Sequence, residues 1–105
     1  MNINGIENIR TLKIEGDIDS FPVELIDQMN TLERVGIDTE RIPSSIFDGR
    51  RNIKYIEIGE KVKRIEKEAF AKCKELISVT FHENSTLEII EEYAFQDCAK
   101  LSTIT

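Results

Sequence analysis

Two cysteines and one histidine are the side chains of this 105-residue sequence that could do nucleophilic or metal chemistry. An imidazole activates a thiol when the two lie within hydrogen-bond reach. Thiolates and imidazoles also hold zinc, four ligands at a time in structural sites. The spacing points elsewhere. Cys73 stands in AFAKCKEL and Cys98 in AFQDCAKL, so both occupy one repeated position and are expected a single coil apart, facing inward. A free cysteine in that setting acts as a small hydrophobe, while a disulfide would need the two Cα atoms within about 7 Å. His82 follows an apolar–polar–apolar run, beside Glu83, and is expected on the opposite surface. Two thiols and one imidazole on different faces supply neither a Cys–His pair nor a zinc ligand set. The five glycines are scattered and form no phosphate-binding loop. The adjacent carboxylates Glu91 and Glu92 are more simply read as helix-start residues than as an acid–base pair. No catalytic residue, metal site or cofactor site is expected.

The elements that carry these residues are copies of one unit. The stretch IEKEAFAKCKELISVTF from Ile65 recurs as IEEYAFQDCAKLSTIT from Ile90, and more weakly from Ile42 and Phe21. A partial copy opens the chain at Ile3. Ile26, Phe47, Phe70 and Phe95 form one column, at intervals of 21, 23 and 25 residues. Such a period marks a solenoid, in which each unit buries its apolar edge only against its neighbours. The alternation in Val79-Thr80-Phe81 suits a short strand with one face buried, and Leu12–Ile14, Val35–Ile37 and Ile56–Ile58 match it. Ile65, Ala69 and Phe70, at i, i+4 and i+5, predict a short helical turn. Phe21–Met29 is the longest expected helix, with Pro22 near its first position, and Ile42–Phe47 is expected as a tight turn. Length varies only between each strand and the next unit, at 15–20, 38–41, 59–64 and 82–89. Those arcs are expected to be exposed.

The pattern I-x-x-x-A-F-x-x-C-x-x-L-x-x-V/I-x-F resembles the BspA-like leucine-rich repeats. The match is close from Ile65 and Ile90. It is partial from Ile42, where Arg50 replaces the cysteine, and from Phe21, where no cysteine is present. The resemblance implies an α/β leucine-rich-repeat solenoid of about 4.5 repeats in a single domain, residues 1–105. It implies a right-handed coil with a parallel sheet on its concave face and short helices or turns on the other side. For function it implies a role among proteins of cell-surface adhesion and host-protein binding.

Composition narrows the partner. The net charge is −6, whereas nucleic-acid binding needs a concentrated basic face; Arg50, Arg51 and the lysines from Lys61 to Lys67 are interleaved with Glu57, Glu60 and Glu66. No apolar run approaches a membrane span. Met1–Gly5 lacks the basic start and apolar block of a signal peptide, so a complete chain would be cytoplasmic and a fragment could come from a surface protein. Neither end carries a polar cap, as solenoids usually do. A fragment, end-to-end self-association, and a last coil that tolerates exposure all fit that feature.

What remains is the sheet. The strand positions between the buried ones should project outward in columns. These are Thr11, Arg34, Tyr55, Ser78, Thr103; then Lys13, Gly36, Glu57, Thr80, Thr105; then Glu15, Asp38, Gly59, His82. Lys13, Glu15, Arg34, Asp38, Tyr55, Glu57, Ser78, Thr80 and His82 are the candidate binding residues. Tyrosine and arginine are the types that most often dominate an interface. The expected function is a non-enzymatic module that binds a protein. The alternative is a small cytosolic inhibitor or immunity-type protein that blocks a basic enzyme.

Overall fold

The computed structural model describes residues 5–105; the expected start at Met1–Asn4, with Ile3, lies outside them. Among the described residues eight strands form two parallel sheets. The larger contains β1 (Thr11–Gly16), β2 (Arg34–Thr39), β4 (Tyr55–Ile58), β6 (Ser78–Phe81) and β8 (Thr103–Ile104), side by side in that order. The smaller contains β3 (Arg41–Ile42), β5 (Arg64–Ile65) and β7 (Ile89–Ile90). From β2 onward each coil therefore leaves the large sheet, crosses an arc, joins the small sheet and returns through a turn, whereas the coil from β1 to β2 passes through two 3₁₀ helices, Ile18–Ser20 and Val23–Gln28. This is the solenoid that the period implied.

Register follows the repeat. Leu12, Val35, Ile56, Val79 and Ile104 pair in sequence, as do Ile14, Ile37, Ile58 and Phe81. Val35, Ile37, Ile56, Ile58 and Val79 are at most 2 % exposed. Burying an aliphatic side chain of this size contributes roughly 1.5–3 kcal/mol, and each such residue is covered by the coils on either side. Phe47, Phe70 and Phe95 stack with centroids 5.6 and 5.4 Å apart and planes within 8° of parallel. Cys73 is buried beside them and Cys98 is half-buried; both thiols are free.

Several local expectations are corrected. Phe21–Met29 is not an α-helix: Val23–Gln28 is a 3₁₀ helix after Pro22. The segments at 67–72 and 92–97 are turns and not helical, and 44–49 is a turn of the same kind, as expected near Ile42–Phe47. Their backbone explains why. Ser45, Glu68 and Tyr93 have φ of 60°, 59° and 63°, and Gly49, Lys72 and Asp97 have φ of 76°, 59° and 59°. Two left-handed residues around each phenylalanine cannot continue a right-handed helix. Instead they aim alternate N–H groups along the stack. Ser45, Phe47 and Gly49 donate to the carbonyls of Lys67, Ala69 and Ala71; Glu68, Phe70 and Lys72 donate to Glu92, Ala94 and Gln96. The turns are thus a third ladder between coils, and at the buried Phe47 and Phe70 it satisfies N–H groups that would otherwise lack partners.

Ile42, placed in a tight turn by the sequence, belongs to β3, and the turn begins at Ser44. Glu91 starts no helix. Its carboxylate accepts from the Arg64 guanidinium at 2.7 Å and from the Lys67 N–H at 3.2 Å, both in the preceding coil. Glu66 repeats the arrangement, accepting from Arg41 and the Ser44 N–H, each at 3.3 Å. The arcs are not wholly exposed either, since Ile18, Thr39 and Val62 are buried.

Candidate functional site

The outward columns of the large sheet hold the candidate residues, and strand pairing sets their neighbours. Arg34 lies between Thr11 and Tyr55, and Ser78 between Tyr55 and Thr103. Lys13, Gly36, Glu57 and Thr80 form the second column. In the third, Glu15 pairs with Asp38. The Gly59 N–H donates to Ile37 at 2.7 Å and the His82 N–H to Ile58 at 2.9 Å, so the ladder runs one residue past the strands. All nine candidate residues therefore share one face. Lys13, Glu15, Arg34, Glu57, Thr80 and His82 are exposed; Asp38, Tyr55 and Ser78 are half-buried.

Contacts along the face order its side chains. The Arg34 guanidinium lies over the Tyr55 ring, 4.6 Å from the centroid, and 3.4 Å from Glu57. Lys13 pairs with Glu15 at 3.1 Å. His82 accepts the Asn84 N–H at Nδ1, at 3.0 Å, which ties its ring to its own turn. Asp38 reaches across to the next coil and accepts the Lys61 N–H at 2.8 Å. Only glycine at position 59 permits that reach, because a Cβ there would stand 2.4 Å from Oδ1 of Asp38.

Beside Asp38 the face dips into an open depression of about 370 Å³. Gly36 leaves it unfilled, and Lys13, Asp38, Glu57, Thr80 and His82 contribute to its walls. Arg34, Tyr55, Ser78 and Glu15 lie outside it. Glu60, which also lines the depression, escaped the sequence reading. It stands in an arc of variable length, where no repeat position fixes its direction.

The cysteines lie elsewhere in the coil. Cys73 donates its S–H to the Phe47 carbonyl and Cys98 to that of Phe70, each at 3.2 Å. The Cys73 thiol is pushed up, first by the adjoining Cys98 thiol and then by burial. The same neighbour draws the Cys98 thiol down to about 7. Among the described residues no group of three or more His, Cys, Asp and Glu side chains is placed to hold a metal. No helix among them is long and apolar enough to cross a membrane.

Comparison with curated proteins and with solved structures returns no match. A family model described as "BspA type Leucine rich repeat region (6 copies)" matches residues 39–105. That span holds the small sheet, three strands of the large one and the whole phenylalanine column, and this chain belongs to the BspA-type leucine-rich repeat family.

Proposed function

We propose that the chain is a non-enzymatic module that docks a partner protein on the outward face of its five-stranded sheet. Membership of a leucine-rich-repeat family supports an interaction role. The observation that carries the choice of face is Arg34 held over Tyr55. An arginine and a tyrosine already ordered against each other lose little freedom on binding, and they are the types enriched among residues that dominate interfaces.

Magnitudes decide how much of the surface takes part. Five strands at ~4.8 Å spacing span roughly 20 Å, and three columns span roughly 13 Å along the strand. The flat area is then about 260 Å², against about 800 Å² per partner in a standard interface. Docking therefore extends onto the flanking arcs, which begin at Gly59 and His82.

Site-specific photo-crosslinking tests this. A benzoylphenylalanine at Tyr55 or Thr80 should capture the partner, whereas one at Lys67 or Lys74, away from the sheet, should not. Arg34→Ala and Tyr55→Ala should weaken capture with the fold intact. Crosslinks confined to Lys67 and Lys74 would place docking on the other side and end this reading.

A further inference from the structure

We propose that the depression on the sheet face seats a lysine side chain of the docked protein. Its methylenes would lie over Gly36, and its ammonium among the carboxylates of Asp38, Glu57 and Glu60. This rests on the reading of the sheet as the docking face and adds the chemistry of the partner.

Shape comes first. Gly36 stands in the middle column where its neighbours carry Lys13 and Glu57, so the face lacks one side chain there. A Cβ at Gly36 would meet only Cγ of Lys13, at 3.7 Å, which is ordinary contact. The gap is therefore not one that packing requires. Its volume, about 370 Å³, is at the lower end of ligand clefts, which start near ~300 Å³. The floor is backbone over the buried Ile37 and Ile58, with the half-buried Phe81 at one side. An aliphatic stem can cover such a floor while its charged end stays at the rim.

Charge then selects the occupant. Three carboxylates and one ammonium line the depression, and that ammonium, of Lys13, is already paired with Glu15. Asp38 holds the Lys61 N–H through Oδ1 only. Glu57 faces Arg34 at 3.4 Å across an exposed edge. Among the described residues the Glu60 carboxylate has no ion-pair or hydrogen-bond partner. Acceptor capacity is left on three sides of one gap, and it is not arranged as a single planar fork. That geometry suits the compact ammonium of lysine better than a guanidinium.

The test uses the full ¹⁵N-labelled chain and three capped peptides, Gly-Ser-X-Ser-Gly, with X lysine, norleucine or glutamate. The lysine peptide should shift the amides of Gly36, Gly59, Glu60 and Thr80 saturably, with a dissociation constant of the order of 1–10 mM. Norleucine, which has the stem without the charge, and glutamate should not. The double variant E57Q/E60Q should weaken the effect about tenfold, and Gly36→Leu, which fills the gap, should abolish it with an unchanged melting curve. Should Gly36→Leu fail to fold, the isosteric E57Q/E60Q variant carries the test alone. The proposal is overturned if the lysine peptide gives no saturable shift, if norleucine matches it, or if the shifts spread to Glu24 and Glu75. Failure of the docking reading would look different: crosslinks from Lys67 and Lys74 with none from Tyr55 or Thr80.

Discussion

Gly59 and Asp38 illustrate how one residue can set a surface. Asp38 reaches the Lys61 N–H only because position 59 has no side chain. Gly59→Ala should therefore cost about 1–3 kcal/mol, the range for an overpacked site, read as a shift of the urea midpoint. Asp38→Ala in the same chain should recover part of that loss, which a double-mutant cycle would measure. The cysteines give a second test at this scale. Because the Cys98 thiol is drawn down to about 7, its thiolate should already be abundant at neutral pH. Its alkylation should rise through pH 7, not at the higher pH of an ordinary thiol. Cys73, buried and pushed up, should stay unmodified until the chain unfolds; rapid labelling of Cys73 in the folded protein would contradict the assignment. The sequence showed which residues share a column, because alternation along a strand has only two phases. It did not show Asp38 crossing to Lys61, a contact set by the distance between coils.

The turns between the sheets depart most from what the letters suggested. Ile65, Ala69 and Phe70 have helical spacing, yet Glu68 and Lys72 adopt left-handed φ and the segment hydrogen-bonds to the next coil. Tertiary pairing decides over local pattern here, since each N–H aimed along the stack meets a carbonyl. A non-glycine residue in this region costs roughly 1–2 kcal/mol. Lys72→Gly should then stabilise the protein by up to about 1 kcal/mol, the strain relieved being partly offset by the freedom glycine adds to the unfolded chain. Lys72→Val should destabilise it. Gly49 already occupies the matching position one coil earlier, and its spacing from Phe47, compared with Lys72 from Phe70, was the available hint. The small sheet escaped for a similar reason. Two residues per strand are too few to show a period, and Arg64 meets Glu91 across 27 residues of sequence.

At the scale of the molecule, the stack was legible because its signal repeats. Each apolar column is read several times, so a weak copy such as Phe21–Ile37 is fixed by its neighbours. The outward face was legible as a set of columns; its depression was not, because the gap exists only once Gly36 lies between Lys13 and Glu57 on the neighbouring strands. Everything proposed for that face depends on the phenylalanine column lying inside the coil and the Arg34–Tyr55 column lying outside. Unfolding free energies of Phe70→Ala and Tyr55→Ala, from urea denaturation at equal slope, test this division most directly. Phe70→Ala should lose about 3–5 kcal/mol as a cavity between Phe47 and Phe95. Tyr55→Ala should lose no more than about 1 kcal/mol, the scale of an exposed cation–π contact. The reverse order, with Tyr55 costly and Phe70 neutral, would contradict the assignment of inside and outside.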